Sequence, residues 1–395
     1  MSEFFNIIIN FFLLFFFRRR SLVQQGEEPS KTQELELIVD SLKDEVVKLK
    51  SANAILKRKS DSFLTKGLAS DQAQVYFLQK EIEDLKEQLE KCPKKFCFDK
   101  IAPNDELVSH FTGLPNAAVF DIIVDLFDGM EIKYYLGWSP KNISVPDQIF
   151  ITLLKLRRNL SNVDLAERFD VSVTTIVNIV STWVDALHCV LIGKENCLLS
   201  KIPSRFKNSI NMPKCFEKYP NTRIILDCTD VPTARPGLLS KNNKMFSTYK
   251  NRVTGKGLVG IAPDGTVTFV SPLYPGRTSD KDIVKHSKVL ECLEPGDSVM
   301  ADKGFLIKDL LPAGTCINLP PFKETPQFTS EQVDQGYEIA QARIHVERAI
   351  QRIKSFHILD FIPQRFLPVA SKIFQVCGAL TNFRKPLIRD GDMED

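Results

Sequence analysis

The sequence predicts an α/β domain in the C-terminal part of the chain, preceded by an all-α domain and an N-terminal coiled coil. Leucines repeat every seven residues after residue 31, and apolar residues recur at helical spacing between residues 146 and 190. Strand-like stretches alternate with helical ones from residue 223 onward. The predicted segments are an apolar N-terminus (1–30), a coiled coil (31–92), a linker with short helices (93–142), a helical domain (143–190), a second linker (191–222), the α/β domain (223–383) and an acidic tail (384–395).

The composition is that of an ordinary globular protein with two or three domains. The chain has 395 residues, and its net charge of +3 is too small to indicate nucleic-acid binding by itself. A DNA-binding surface must therefore come from local clusters of basic residues. The nine cysteines are scattered and no CxxC pair occurs, so we expect a reducing compartment rather than a disulfide framework.

Residues 1–30 begin with a strongly apolar run, from Phe4 to Phe17, which two asparagines interrupt. The run is shorter than the roughly 20 residues that a transmembrane helix needs, and its charges follow it, unlike those of a signal peptide. We therefore expect no stable membrane association, and either a segment that packs on a partner or an incorrect gene start. The alternative is a short membrane anchor, which deletion of residues 1–20 would remove.

Residues 31–92 have the heptad pattern of a coiled coil. Leucines occupy the predicted d positions, with two valines and one asparagine at a: Leu35, Leu42, Leu49 and Leu56, then Val39, Val46 and Asn53. β-Branched a residues, leucine at d and one polar a residue favour a parallel dimer. The pattern breaks near Gly67 and resumes in a shifted phase, so two separate amphipathic helices are the alternative. We expect a homodimer or a higher oligomer through this segment.

Residues 143–190 have the pattern of a helix-turn-helix domain. One helix is predicted from Asp147 to Arg158, a short one from Asn162 to Phe169, and a third from Val173 to Leu187 after a tight turn. Polar residues at the start of the third helix would face a DNA groove: Ser172 (also the predicted N-cap), Thr174, Thr175 and Asn178. Three arginines would contact phosphates: Arg157, Arg158 and Arg168. A helical bundle without a DNA role is the alternative.

The α/β domain is predicted from the order of its elements. The predicted strands are 223–228, 257–262, 266–273, 297–301 and 315–319, with a helix at 279–292 and a long final helix. Three consecutive strands, a helix, a strand and a final helix are the order of a ribonuclease-H-like α/β fold. In that order, the ends of two strands and one late helix meet at one point.

An acidic residue stands at each of the three places expected to meet. Asp227 ends the first strand, Asp302 follows the fourth, and Glu347 lies on the final helix. Carboxylates are ligands of Mg²⁺ and Mn²⁺, and three of them without a cation would raise one another's pKa values. Two such ions activate a water and stabilise the leaving oxygen in phosphodiester cleavage. Asp280 is a rival metal ligand or an N-cap, and each acid taken alone could simply serve a turn.

The final helix carries a polar stripe. Arg343, Glu347 and Lys354 recur at near-helical spacing in ARIHVERAIQRIK (342–354), so one carboxylate lies between two cations. The ordinary interpretation is a solvated face with i,i+4 ion pairs; the functional one is a catalytic acid flanked by phosphate-binding cations. A second basic cluster, with Phe246 and Tyr249 among its members, would follow a DNA backbone or form a solvated loop: Lys241, Lys244, Lys250, Arg252 and Lys256.

Taken together, these motifs resemble the DDE superfamily endonuclease domain of Harbinger-like and related insertion-sequence transposases. The matching stretches are ILDCTD (225–230), YKNRVTGKGLVGIAPDG (249–265), SPLYPGRTSD (271–280), VMADKGF (299–305) and RIHVERAIQRIK (343–354). Residues 143–190 resemble the helix-turn-helix that precedes this domain in the same family. Relatives carry a Tyr-Arg-Glu-Lys signature on the final helix; Arg343, Glu347 and Lys354 match its spacing, and Ala340 stands where the tyrosine would be.

The resemblance implies a function. It makes Asp227, Asp302 and Glu347 the catalytic, metal-binding acids, with Arg343 and Lys354 holding DNA phosphates. It implies a nuclear, transposase-derived endonuclease that uses Mg²⁺ or Mn²⁺, cuts double-stranded DNA at element ends and leaves a 3′ hydroxyl for strand transfer. Many eukaryotic relatives begin with a THAP zinc finger, and none precedes the predicted coiled coil here. The alternative is a domesticated, catalytically silent protein that binds DNA and dimerises.

Overall fold

The computed structural model of the protein describes residues 50–51, 54–55, 76–83, 96–193, 202–210, 212–235, 245–247, 250–322, 327 and 329–388. Met1–Lys94 form one unit and Lys95–Asp395 form another. In the first unit the described residues are helical and exposed. The rest of the predicted coiled coil, the apolar N-terminus and most of the acidic tail lie outside the described residues, so the coiled coil stays a prediction.

The first part of the second unit is all-α, as predicted. Its helices are α1 (Asp105–Thr112), α2 (Ala117–Asp125), α3 (Val145–Arg158), α4 (Asn162–Phe169) and α5 (Val173–Ile192). Helix α4 has the predicted bounds, and α5 continues beyond the predicted end at Leu187. Asp170 adopts a left-handed φ of 52° in the turn between α4 and α5. Ser172 is the N-cap of α5, as predicted, because its hydroxyl accepts a hydrogen bond from the Thr175 amide at 3.1 Å.

Helix α5 is apolar because it is the central helix of this domain. Among the residues that the structure describes, it is the one unbroken helix long and apolar enough to cross a membrane, and half of its most apolar stretch is buried. Its Trp183 is fully buried. The Trp183 ring packs edge-on against Phe127, with ring centroids 5.1 Å apart. The apolar character of α5 therefore serves the core of the helical domain.

The second part of the unit is a mixed sheet with covering helices. Its strands are β1 (Thr222–Pro232), β2 (Phe246–Ser247), β3 (Arg252–Ile261), β4 (Val267–Val270), β5 (Tyr274–Pro275), β6 (Ser298–Met300) and β7 (Cys316–Asn318). The sheet runs β2-β3-β1-β6-β7, with β4 and β5 also paired to β3. Its helices are α6 (Arg205–Ile210), α7 (Asp280–Ser287), α8 (Ser330–Lys354) and α9 (Ala370–Leu380). A helical region followed by this mixed sheet is consistent with the DDE nuclease fold that the sequence predicts.

Both faces of the sheet are buried, and the alternation of side chains along β1 decides what each face carries. Ile225 lies in the core shared with α8, α9 and the helical domain, whereas Ile224 and Leu226 lie in a second core with residues of α7. Side chains two residues apart on a strand share a face. Asp227 therefore lies on the same face as Ile225, toward α8.

Polar contacts fix the helical domain to the end of α8. Arg157, at the end of α3, donates a hydrogen bond to the carbonyl of Ser355, and its guanidinium lies 5.9 Å from the centre of the Phe356 ring. Lys155, also on α3, is buried, and its ammonium lies 5.8 Å from the centre of the Phe366 ring. Burial lowers the pKa of Lys155 to about 8. These contacts join the helical and α/β parts into one compact unit.

Candidate active site

Two of the three predicted acids lie side by side because their strands pair in parallel. Ile225 of β1 is opposite Met300 of β6, and Asp227 and Asp302 each follow two residues later. Neighbouring strands lie about 4.8 Å apart, so the two residues lie side by side. Asp227 lies within β1, which continues to Pro232, and Asp302 lies just beyond the end of β6. The register of two strands thus brings together two acids that are far apart in the sequence.

The third acid, Glu347, lies on α8 one turn after Arg343. Nη1 of Arg343 lies 3.2 Å from Oδ1 of Asp302. Nη2 of Arg343 lies 3.9 Å from Oε1 of Glu347. The Arg343 side chain is only 12% exposed, whereas those of Asp302 and Glu347 are 51% and 60% exposed. Arg343 therefore bridges Asp302, beyond the end of β6, and Glu347 on α8, and it offsets part of their negative charge.

Asp227 lies deeper in the protein than the other two acids. Its Oδ1 accepts a hydrogen bond from the Cys228 amide at 2.8 Å. Burial is the main reason that the pKa of Asp227 is raised to about 6; Glu347 and Asp302 add to the rise, and the Cys228 amide and Arg343 oppose it. A carboxylate in such surroundings is stabilised in its ionised form by any added cation.

Asp280, the predicted rival metal ligand, already has a cationic partner. Its Oδ1 lies 2.7 Å from Nζ of Lys256, with the two side chains 25% and 19% exposed. Burial alone would lower the pKa of Lys256, but the hydrogen bond and charge of Asp280 hold it above its ordinary value. The N-cap of α7 is Ser279 and not Asp280. Asp280 and Asp302 are therefore each paired with a cation, and the assignment of Asp302 as the partner of Asp227 and Glu347 stays a prediction.

A polar cavity of about 720 Å³ joins these groups. Asp227, Asp302 and Glu347 all line it, and so does the Lys256–Asp280 pair. Its further cationic lining residues are Lys250, Arg277 and Lys354. Acidic and basic groups thus share one open space, which is the composition expected where a phosphate group and a cation are bound together.

The cations at the α8 end of the cavity repel one another. The pKa of Lys354 is lowered, first because its ammonium loses water and then because Lys250 and Arg252 are close, while Asp230 opposes the shift. Lys250 and Arg252 are exposed. A bound phosphate would relieve this repulsion. Phe246 lies half-buried on β2, and the other members of the predicted basic cluster lie outside the described residues: Lys241, Lys244 and Tyr249.

The donor chemistry of the three acids fits a hard divalent cation. Carboxylate oxygens are the ligands that Mg²⁺ and Mn²⁺ take in proteins, and the raised pKa of Asp227 marks a place where negative charge lacks full compensation. Across the described ranges, no three His, Cys, Asp or Glu side chains lie together at metal-site spacing. The guanidinium of Arg343 offsets part of the negative charge of Asp302 and Glu347.

The start of α5 presents a small polar surface. Ser172 and Thr174 are exposed, as the sequence predicts for residues that face DNA. Thr175 is half-buried, and its hydroxyl lies 2.9 Å from that of Ser172. The hydroxyls of Ser172 and Thr175 thus serve the helix N-terminus, and Thr174 is the more available of the two threonines.

The prediction that Asn178 contacts DNA is wrong. Asn178 is fully buried. Its Oδ1 accepts a hydrogen bond from the Leu136 amide at 2.8 Å, and its Nδ2 donates one to the carbonyl of Trp138 at 2.8 Å. A loop between α2 and α3 covers this side of α5, so both polar groups of Asn178 are used inside the protein.

Two of the three predicted phosphate-binding arginines have partners in the protein. Arg168 lies 2.8 Å from Asp164, one turn earlier on α4. The prediction that Arg157 contacts a phosphate is wrong, because its guanidinium donates a hydrogen bond to the carbonyl of Ser355 and lies beside the Phe356 ring. Arg158 is half-buried at the end of α3.

Comparison with protein families identifies the class to which this fold and site belong. The family model of the DDE superfamily endonuclease matches residues 226–382, and that of the helix-turn-helix of DDE superfamily endonuclease matches residues 141–191. The two matches together cover more than half of the chain. Comparison with curated proteins and with solved structures gave no significant match. The chain belongs to the DDE superfamily endonucleases and carries their helix-turn-helix domain.

Sequence reasoning missed two features of the cavity. Arg277 lines it, and the signal was present in the quoted motif SPLYPGRTSD, where only Asp280 was considered. The Lys256–Asp280 pair was also missed, because Lys256 was assigned to DNA. Lys256 lies opposite Asp230 in the β1–β3 register. That register places it at the acidic edge of the sheet, and it follows only from the tertiary structure.

Proposed function

We propose that this protein is a transposase-derived, metal-dependent DNA endonuclease with a ribonuclease-H-like catalytic domain. The observation that supports it most strongly is that Asp227, Asp302 and Glu347 line one cavity. The cationic residues of the same cavity are Lys250, Lys256, Arg277 and Lys354. A sheet with three antiparallel strands (β4, β3, β1) followed by two parallel ones (β6, β7) also supports this domain class.

The three acids would hold Mg²⁺ or Mn²⁺. The metal, when bound, would supply activation of a water and stabilisation of the leaving oxygen in phosphodiester cleavage. Asp227 would contribute a carboxylate that is ionised above about pH 6. Arg343 would then be released from part of its charge pairing and would contact a DNA phosphate together with Lys354. Cleavage would leave a 3′ hydroxyl, which the same site would direct onto target DNA.

The helical domain would hold the duplex through the start of α5. Ser172, Thr174 and Thr175 lie there, and the contacts of Arg157 with Ser355 and Phe356 hold the domain against the end of α8. Lys250 and Arg252 would continue the phosphate contacts beside the cavity. The DNA partner is double-stranded element ends.

Two further properties belong to the proposal. The heptads in residues 31–92 support a homodimer or higher oligomer. An endonuclease that acts on chromosomal DNA would work in the nucleus. We propose both, and size measurement of chains with and without residues 31–92, together with imaging of a tagged full chain, would test them.

The test is nicking of supercoiled plasmid carrying the element's own ends, in Mg²⁺, Mn²⁺ or chelator. The parent chain is compared with Asp227→Asn and with the matched control Asp264→Asn, which changes an aspartate of the turn between β3 and β4. Metal-dependent nicking that is lost only in Asp227→Asn supports the proposal. Absence of nicking with retained DNA binding would favour the silent DNA-binding protein, for which the Arg343 bridge to two of the acids is the favouring observation.

A further inference from the structure

The loop between α2 and α3 exposes large apolar side chains next to the helix-turn-helix. Tyr135, Leu136 and Trp138 are 64%, 40% and 43% exposed. We call residues 133–141 the aromatic loop. Three large apolar side chains within four residues of one loop are more than the scattered single exposures normal on a protein surface. Such a group indicates a surface that is covered in use.

The backbone of the aromatic loop is held firmly, so its exposed side chains have a fixed place. Buried side chains of α5 hold it at three points: Thr182 Oγ1 accepts from the Tyr135 amide at 2.9 Å, and Asn178 bonds to Leu136 and Trp138. Gly137, with φ +75°, closes the turn by donating to the carbonyl of Tyr134 at 2.9 Å. The polar groups of two buried residues of α5 are thus used to hold the backbone of this loop in place.

The aromatic loop lies beside the end of α5 that faces DNA in a helix-turn-helix. Thr174 precedes Asn178 by four residues, so the two share a face of the helix, with Cβ atoms about 6 Å apart. Thr174 is exposed, and Asn178 holds the carbonyl of Trp138. The exposed surface therefore continues from the first turn of α5 onto the loop.

The charge of the aromatic loop suits a polyanion. Lys133 and Lys141 are exposed at its two ends, and the loop itself (133–141) contains no acidic residue; Glu131 is exposed two residues before it. Apolar and aromatic side chains contact the sugars and bases of DNA, while lysines contact its phosphates. A wedge of apolar side chains beside a recognition helix can also press on a base step.

We propose that the aromatic loop is a second DNA contact of the helix-turn-helix domain, in which Tyr135, Leu136 and Trp138 pack on the sugars and bases next to the site read by α5. The inference rests on the proposed DNA binding and not on cleavage. Asn178 and Thr182 act as positioning residues that fix the loop beside the duplex. Lys133 and Lys141 contact the flanking phosphates.

The two tryptophans of the chain allow a direct test. Trp138 is 43% exposed and Trp183 is fully buried, so collisional quenching by acrylamide reports on Trp138. The full chain carrying Glu347→Gln is titrated in chelator with a short mixed-sequence duplex, whose binding is followed separately by anisotropy of a label on the DNA. We expect quenching to fall in step with binding. Quenching that stays constant while the duplex binds overturns the inference.

Variants separate this contact from other causes of protection. Trp138→Ser or Leu136→Ser should weaken duplex binding by about tenfold without changing its salt dependence, because the lost contact is not ionic. The control Phe361→Ser, on a residue 51% exposed in the α/β part, should bind as the parent does. Loop variants that bind like this control overturn the inference, as does protection of Trp138 that grows with protein concentration in the absence of DNA, which indicates a second copy.

The result is independent of the endonuclease proposal. A chain that never nicks DNA but protects Trp138 on duplex binding retains the inference. A chain that nicks with metal but leaves Trp138 equally quenched on DNA loses this inference alone. A chain that binds no duplex overturns it.

Discussion

The cavity of the α/β domain and the surface at the start of α5 have opposite chemistry. The cavity is lined by carboxylates balanced against lysines and arginines, such as Asp280 against Lys256 and Asp302 against Arg343. The α5 surface has no carboxylate–cation pair of this kind: exposed hydroxyls of Ser172 and Thr174 continue onto the apolar side chains of the aromatic loop, with Lys133 and Lys141 at the two ends of the loop. Binding and cleavage at the cavity should therefore depend on metal, pH and salt. Binding at the α5 surface should depend mainly on how well the side chains fit the duplex. The two regions should therefore be separable by experiment.

Loss of the helix carboxylate should have the largest effect and should touch only the cavity. Glu347→Gln removes a charge that the proposed metal needs, so we expect nicking to fall by about a thousandfold or more. Duplex affinity should stay within about twofold, since the proposed DNA contacts lie on α5 and on the cationic residues of the cavity. Nicking assays and anisotropy on the same preparation measure both. The control is Glu331→Gln on the same helix, about 24 Å along the axis; equal activity of parent and Glu347→Gln would contradict the assignment.

The pH dependence should come from the cavity and not from the α5 surface. Because burial raises the pKa of Asp227 to about 6 without metal, protons should compete with the metal for this carboxylate. Nicking at subsaturating metal should therefore rise with pH, by up to tenfold per unit below that value, while duplex affinity stays flat. Initial nicking rates at fixed metal concentration measure this. A rate that does not change between pH 5 and pH 7 would contradict a role for the Asp227 carboxylate.

The same group gives a stability effect of known sign. Without metal, the folded chain binds a proton at Asp227 that the unfolded chain has released, between its ordinary pKa of 3.8 and about 6. The free energy of unfolding should therefore fall as pH rises through this window, by about 3 kcal/mol. Denaturant unfolding of parent and Asp227→Asn in chelator tests it. The variant should lack this slope; identical slopes would assign the pH dependence to other groups.

The Lys256–Asp280 pair should matter more for stability than an exposed pair on the same helix. Lys256→Met leaves the largely buried Asp280 without its partner and should lower the free energy of unfolding by about 1–3 kcal/mol. Lys281→Met, which breaks the more exposed pair with Asp309, should cost no more than about 0.5 kcal/mol. Denaturant midpoints compare the two variants. Equal effects would show that burial does not distinguish the pairs.

The smallest expected effects are on duplex affinity, and the salt dependence of that affinity should distinguish the cavity from the α5 surface. Lys354→Gln at the cavity should reduce the slope of log affinity against log salt by about one phosphate contact. Thr174→Val at α5 should weaken binding by a few-fold and leave the slope unchanged. Affinities at four salt concentrations measure both. A slope change for Thr174→Val would mean that α5 binds mainly through charge.

The residues that line the cavity were predicted from the sequence far better than those of the α5 surface. The element order placed Asp227 on the first strand and Asp302 after the fourth, and the parallel pairing of β1 with β6 brings them together. The predicted end of the first strand at Asp227 is wrong, because β1 continues to Pro232. The spacing of Arg343 and Glu347 gave their shared face of α8. Periodicity also gave the bounds of α4 and the capping by Ser172.

The errors came from contacts between distant segments. Asn178 has the right spacing for a groove contact, but residues 136–138 cover it, and nothing in the helical pattern reports what packs on a polar face. Arg157 ends a helix beside other arginines, and its carbonyl partner lies almost 200 residues away at Ser355. Helix α1 lies in the segment predicted as a linker with short helices, and its bounds were not predicted although Asn104 is its N-cap. Local patterns predict elements; they do not predict which polar side chains are used between them.

The contact between α3 and the end of α8 fixes the distance between the helical domain and the cavity. Arg157 and Lys155 hold the helical domain against Ser355, Phe356 and Phe366, which follow Glu347 by 8, 9 and 19 residues on the chain. A duplex gripped at α5 would thus present one particular phosphodiester to the cavity, at a constant number of base pairs from the bound sequence. The molecule would thus fix the distance between the bound sequence and the cut. Arg157→Gln, which loosens the contact between α3 and the end of α8, should broaden the distribution of cut positions more than it lowers the rate of cutting.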